Sequence, residues 1–234
     1  MGLVILGTGK ATPPNGQLFT NADIIDLIHK TAHACGLDAR DFAHLYPEWY
    51  VSRVGVRERY FAPFGREVTT AMAAEAARNA LARWEVYNDF VHTDCMRIDE
   101  IYVETVTPDK QGIPSTAHAV HASIRTLLPS PIQFAMDINV GCCGFLAALL
   151  HAHYVGCARR EKRRFLLIGS EQLSKILNFT DPNTAGIFGD GAGAVIVEWD
   201  DASPAGIIDS ISFADGDTEI LTTKSFTDDN SEIF

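Results

Sequence analysis

The sequence predicts an α/β layered protein with a largely parallel central sheet. Two observations carry that expectation. Short runs of β-branched and aromatic residues alternate with helical stretches of roughly 12–16 residues, the pattern of strand–helix–strand units. The composition, 47% hydrophobic and 21% charged over 234 residues, suffices to bury a sheet between helical layers. In order, Leu3–Gly7 reads as a short buried strand closed by Gly7-Thr8-Gly9 and then Pro13-Pro14. Asn21 is placed to cap a helix opening Ala22-Asp23-Ile24-Ile25. Thr69 or Thr70 starts an alanine-rich helix running to about Trp84, and Ile101–Thr105 is a strand. A helix follows Pro114-Ser115, residues 132–139 form the next strand, and Gly144 to about Ala158 the next helix. Arg164–Gly169 is a strand, Ile187–Val197 a glycine-rich turn and strand, and Gly206–Phe213 a further strand. Thr222–Asn230 is polar and reads as a loop, and the internal boundary falls at Asp200–Pro204.

The charge balance sets exclusions. Nineteen basic against thirty acidic side chains give −11, which disfavours nucleic acid and anionic membranes as partners. The N-terminus has no basic n-region, and the sequence reading finds no apolar run of membrane-spanning length. Five cysteines, at 35, 95, 142, 143 and 157, are odd in number and irregular in spacing, which favours reduced thiols in a cytoplasm.

The chemistry concentrates at Asp137-Ile138-Asn139-Val140-Gly141-Cys142-Cys143-Gly144-Phe145. A buried strand running into an apolar helix within four residues needs a tight turn, and Gly141 and Gly144 supply the freedom. A thiol on Cys142 then faces the positive end of the helix, where backbone N–H groups stabilise a thiolate and a thioester oxyanion. A pair of small core cysteines fits the local pattern equally well. Adjacent cysteines without CxxC or HxxxH spacing make a poor metal site. Cys143, one residue on, points about 100° away and is assigned to packing.

This turn resembles the active-site turn of the β-ketoacyl-acyl carrier protein synthase III family, thiolase-fold condensing enzymes. Three further blocks in the same order share the resemblance. They are Asn21–Ile24 with Glu48-Trp49-Tyr50-Val51-Ser52-Arg53 through Arg59, Ile187–Ala194, and Asp215-Gly216 to Leu221. The resemblance implies a thiolase-like layered fold, a mostly parallel mixed sheet and a buried nucleophile helix. It implies that Cys142 is acylated by a primer thioester, with Gly141, Cys143, Gly144 and Phe145 supporting the turn. Trp49 and Arg53 match residues that contact the coenzyme A nucleotide. Ile113, before Pro114, matches a position that floors the acyl pocket of the other subunit. No permanently bound cofactor is implied; acyl-CoA or acyl-carrier-protein thioesters are substrates. Family members are dimers, so a homodimer, or a heteromer supplying missing parts, and an acyl carrier protein are the implied partners.

The departures matter as much. The family's histidine and asparagine, which drive decarboxylation of a malonyl thioester, lie in motifs not found here. His151 and His153 fall some 13 Å or more along the helix from Cys142, and His118 and His121 read as half-buried or surface residues. Residues 1–200 thus read as the first thiolase-like half and 205–234 as the opening of a second that is largely missing. A fragment, an incomplete sequence and a split protein completed by a partner all stay open. So do condensation with a malonyl-type unit and simple transfer to an alcohol or amine. Asp181-Pro182-Asn183-Thr184 lacks the arginine that often helps sandwich the adenine, which makes a carrier-protein donor more plausible. Gly7-Thr8-Gly9 and Gly189–Gly193 do not make phosphate cradles, since prolines and a strand follow them. The basic run Arg159–Arg164 begins about 25 Å along the helix from Cys142 and reads as a solvated connection.

Overall fold

The computed structural model describes residues 2–88 and 96–214. Cys95, the block 215–221 and the expected loop Thr222–Asn230 lie outside the described residues. The chain groups into two units. The first comprises Met1–Leu18, Arg59–Gln172 and Gly189–Ser210, and the second Phe19–Glu58, Leu173–Phe188 and Ile211–Phe234.

The first unit is built on a five-stranded sheet. Its strands are β1 (Gly2–Ala11), β4 (Glu100–Glu104), β5 (Phe134–Ile138), β6 (Arg163–Gln172) and β7 (Asp190–Asp200), in the order β1-β7-β6-β4-β5. β4 runs parallel to both β5 and β6, while β7 is antiparallel to β6 and β1. Four strands therefore share one direction and β7 opposes them, the mixed and mostly parallel sheet expected. β4 lies between β6 and β5, and its Ile101, Tyr102 and Val103 are wholly buried.

Side chains alternate between the two faces of the sheet, so each face carries its own core. On one face, α3 (Thr69–Asn88) lays Ala73, Ala76, Ala77 and Ala80 against Ile101, Val103, Leu166, Ile168 and Ile196, with Val120 and Ile124 of α4 (Thr116–Ile124) beside them. The small residues let this helix lie close. A Cβ on Gly9 would come within 2.1 Å of the Ala76 carbonyl oxygen, so the Gly7-Thr8-Gly9 motif serves helix packing and β1 continues through it. Thr69 does open α3, and the Asp109 carboxylate accepts from the N–H groups of Thr69 and Thr70 at 2.9 and 2.8 Å. Ser115 caps α4, and Asp137 of β5 accepts from Thr116 and Ala117 at 2.8 and 2.7 Å.

On the other face, α5 (Gly144–Arg159) presents Ala148, Ala152 and Gly156, four residues apart, to Tyr102, Phe165, Leu167 and Trp199. Its opposite side is exposed, with Leu146 at 61% and Tyr154 at 57%. Gly141–Arg159 is long and apolar enough, by length and composition, to cross a membrane, which corrects the sequence reading. Alanine and leucine are the commonest residues of α5 because one flank packs on the sheet.

In the second unit, α1 (Asn21–Ala34) and α2 (Pro47–Val54) enclose Ile24, Ile28, Phe42 and Tyr50. The cap of α1 is Thr20, not Asn21. Thr20 Oγ1 accepts from Asp23 N–H, and Asp23 accepts in return from Thr20 N–H at 2.8 Å. Asn21 instead lies buried and donates to the carbonyls of Pro47 and Val56. This unit also holds the one-turn helix α6 (Pro182–Ala185), and the residues of two short paired strands, β2 (Gln17–Thr20) and β3 (Glu58–Phe61), are divided between the units.

The strand expected at Gly206–Phe213 is absent. Ile208, Ile211 and Phe213 are 92% exposed or more, for an apolar run without a neighbouring strand has no ladder to complete.

Candidate active site

β5 ends at Ile138, and six residues later α5 begins. Gly141 makes that possible. Its φ is +53°, in the left-handed region, and a Cβ there would meet nothing within 4 Å. Backbone conformation, not space, demands glycine. Cys143 N–H donates to the Val140 carbonyl at 3.2 Å and Gly144 N–H to the Gly141 carbonyl at 3.1 Å, closing two successive turns around Cys142. Cys143 is the N-cap of α5 and Ala147 donates to its carbonyl, so the N–H groups of Phe145 and Leu146 stand at the open helix end without intrahelical partners. Cys142 is exposed at this positive pole. Cys143, assigned to packing, is exposed as well, because a residue before the first helical turn has no facing turn to pack on.

Gly144 has a different reason to be glycine. A Cβ would fall 1.9 Å from Cγ and 2.6 Å from Oε1 of Glu104. The last residue of β4 therefore folds its side chain onto the first residue of α5, and its Oε2 lies 3.6 Å from where a Cβ on Gly169 would stand. Glu104 is 8% exposed. On the same face, two residues beyond its register partner Gly169, Glu171 accepts from Val106 N–H at 2.6 Å and from the hydroxyls of Thr107 and Thr105. Burial, with the Glu171 carboxylate beside it, pushes the Glu104 carboxyl up to about 7. Burial raises Glu171 too, opposed by the hydrogen bonds from Thr107, Val106 and Thr105. Sequence reasoning missed this pair. Its signal was a glutamate in the otherwise apolar run Ile101-Tyr102-Val103-Glu104.

The described histidines of this unit are engaged away from Cys142. His151 stacks edge-on with Tyr102 at 5.2 Å, and His153 with Trp199 at 5.3 Å, while His153 Nε2 lies 3.6 Å from the Cys157 sulfur. His118 shares a 2.7 Å hydrogen bond with Ser115. Burial lowers the His121 pKa, aided by His118 and Arg125. Among the described residues no cluster of metal-ligating side chains forms.

Three of the five basic residues in the run Arg159–Arg164 pair within the unit, while Arg159 and Arg160 are exposed. Arg163 is buried against Glu100 at 2.7 Å, Lys162 and Arg164 pair with Glu198 at 3.0 and 2.6 Å, and Arg164 lies over Trp84. A Cβ on Gly191 or Gly193 would stand 3.6 or 4.0 Å from carbonyls of β1, and one on Gly189 2.8 Å from Arg59 Cβ, so this glycine-rich stretch lies against β1 and Arg59.

Trp49 and Arg53 belong to the second unit and sit one turn apart on α2. The Arg53 guanidinium lies 4.7 Å above the Trp49 ring, which His44 and Tyr50 flank edge-on at 5.7 and 4.9 Å. Tyr50 donates to the Pro182 carbonyl at 2.9 Å. A cavity of about 310 Å³ opens here, lined by Trp49, Tyr50, Arg53, Val54, Asn183 and Ile187. The stack leaves a planar cationic surface beside apolar walls. Ile113, in the loop before α4, is 95% exposed.

Comparison with known proteins places this geometry. Residues 136–216, which contain the turn and α5, match the family model of 3-oxoacyl-[acyl-carrier-protein] synthase III. A β-ketoacyl-[acyl-carrier-protein] synthase III of Coxiella burnetii is 34% identical over 226 residues, 94% of this chain and 60% of that protein. The enzyme of that name from Caldanaerobacter subterraneus is 36% identical over 212 residues, 91% of this chain and 54% of its own length. The crystal structure of 3-oxoacyl-[acyl-carrier-protein] synthase III from Aquifex aeolicus superposes with a TM-score of 0.66 at 32% identity, over 86% of this chain and 55% of that one. The chain thus spans about 55–60% of the length of these relatives. By sequence over nearly its whole length, and by fold, it belongs to the 3-oxoacyl-[acyl-carrier-protein] synthase III family.

Proposed function

We propose that the protein is a thioester-dependent acyltransferase in which Cys142 accepts an acyl group and passes it to a malonyl-type thioester. The Cys142 sulfur attacks the carbonyl of an acyl thioester, and the donor thiol leaves with the proton. The malonyl-type unit then loses carbon dioxide, and its carbanion attacks the acyl-cysteine carbonyl. A carbon–carbon bond forms, the carbon–sulfur bond to Cys142 breaks, and a 3-oxoacyl thioester departs. In both steps a carbonyl oxygen becomes negative, and N–H groups at the open end of α5 are available to receive it. The single observation that carries this reading is an exposed thiol held at a helix N-terminus by a positive-φ glycine.

Cys142 is the nucleophile in this reading, and His118, His151 and His153 are engaged elsewhere, with Ser115, Tyr102 and Trp199. In this reading the decarboxylating histidine and asparagine come from further residues of the same polypeptide or from a partner. Residues 1–200 then form the first thiolase-like half and 205–234 open the second. The protein works in the cytoplasm as a homodimer, with Ile113 reaching the acyl pocket of the other subunit. The Trp49–Arg53 stack takes the nucleotide of a coenzyme A donor; because Asp181–Thr184 carries no arginine to help sandwich the adenine, an acyl-carrier-protein thioester is the alternative donor. Transfer to an alcohol or amine uses the same acyl-enzyme and differs only in the acceptor.

Incubation with acetyl-CoA and longer acyl-CoAs, followed by intact-mass and peptide mapping, tests the first step. The expected result is one acyl adduct on Cys142, lost in Cys142→Ser and kept in Cys143→Ser. An adduct that survives in Cys142→Ser, or none with any thioester, sinks the proposal.

A further inference from the structure

We propose that Glu104 is a positioning residue whose protonation state controls how much of the positive pole of α5 remains available to Cys142. The inference rests on the reading of Cys142 as the nucleophile and deepens it. Glu104 ends β4 with its carboxyl against Gly144, the first residue of α5 and two residues after Cys142. A carboxylate at that place competes for the helix terminus in two ways. It takes up the field that favours a thiolate, and it repels the thiolate directly. A neutral carboxyl does neither.

The surroundings show why this acid holds its proton. Glu171, from β6, receives one backbone N–H and two threonine hydroxyls and so carries the negative charge of the pair. Glu104 is itself buried and faces that charge. From the α5 side, the Cys142 and Cys143 thiols stand in the turn, and His151 lies two turns on against Tyr102. From β5, Asp137 is committed to the N–H groups of α4 on the other face of the sheet. Burial and the Glu171 charge act on Glu104 in the same direction, both favouring the neutral acid. Below neutrality the acid is uncharged and the helix pole serves Cys142. Above neutrality the proton leaves to solvent and the pole is shared.

The test is the pH profile of Cys142 alkylation by iodoacetamide on the whole chain, with each cysteine resolved by peptide mapping. In the unsubstituted protein the rate is expected to rise with pH, with a break near neutrality where Glu104 ionises. Glu104→Gln is expected to remove the break and to react about three- to tenfold faster above pH 8, with equal rates below pH 6. Glu104→Asp, which keeps the acid, is expected to restore a break. Glu171→Gln, which removes the neighbouring charge, is expected to move it to lower pH. Superimposable profiles for the unsubstituted, Glu104→Gln and Glu171→Gln proteins overturn the proposal. Should Glu104→Gln not fold, the break and its movement in Glu171→Gln decide alone. Failure of Cys142 to form an acyl adduct overturns the nucleophile reading, whereas an adduct with an unaltered profile overturns only the role of Glu104.

Discussion

Replacing Glu104 by glutamine is expected to make the protein more stable at pH 8 than at pH 5, relative to the unsubstituted chain. The sign follows from where the proton resides. The folded protein holds the Glu104 carboxyl near 7, while an unfolded chain releases it near the ordinary value of 4.5. Below pH 4.5 both states are protonated and the residue contributes nothing to the pH dependence. Between 4.5 and about 7 the unfolded chain gives up a proton that the folded one keeps, so stability falls as pH rises. Above 7 both states are ionised and the penalty is constant. At about 1.4 kcal/mol per pH unit, the full interval corresponds to about 3 kcal/mol. Glu171 is raised in the same direction and titrates with its neighbour, so the measured transition belongs to the pair. Urea unfolding followed by tryptophan fluorescence reports it, since Trp84 and Trp199 are buried in the cores on the two faces of the same sheet. The gap between Glu104→Gln and the unsubstituted protein should widen by about 3 kcal/mol from pH 4.5 to pH 8. An amide that fits poorly adds an offset independent of pH, so the slope is diagnostic. Parallel stability curves across that range would refute the reasoning.

Two further outcomes follow from packing. Gly144→Ala puts a methyl 1.9 Å from Glu104 Cγ and should cost about 1–3 kcal/mol in urea unfolding, most of it recovered when Glu104→Ala empties the same space. Recovery by less than a third would show that the clash is not the cause. Glu100→Ala strands the buried Arg163 guanidinium with Glu161 and Gln133 as remaining partners, for a loss of about 3 kcal/mol. Arg163→Met in the same chain should restore much of it, and an unaltered melting temperature in Glu100→Ala alone would contradict the assignment.

The turn from β5 into α5 was legible because it is encoded locally. Gly141 is required by its own φ, and strand formers followed by helix formers mark the junction within a dozen residues. Asp137 was legible as part of that block but not in its role, since its partners are N–H groups twenty and twenty-one residues earlier. The cap of α1 was misplaced by one residue for a related reason. Asn21 is as good a cap by type as Thr20, and the choice fell to Asp23, which completes a reciprocal pair with Thr20. The strand at Gly206–Phe213 failed in the opposite sense. Its composition is favourable, yet a strand exists only with a neighbour to bond to, and composition does not report neighbours.

Glu104 shows where such reading ends. In sequence it is one acid at the close of an apolar run, indistinguishable from a residue that turns into solvent as a strand leaves the sheet. Its environment is set by three long-range facts: the parallel register that places Gly169 beside it, the hydroxyls that claim Glu171, and the approach of α5 over the face that Tyr102 and Glu104 share. None of these is local. The same fold that exposes the thiol at the pole of α5 also presses a carboxyl onto that pole, and Gly144 is the residue that lets both occupy it. A larger residue at 144 would separate them, and with them the proposed coupling between the Glu104 proton and the Cys142 thiol that the alkylation profile tests.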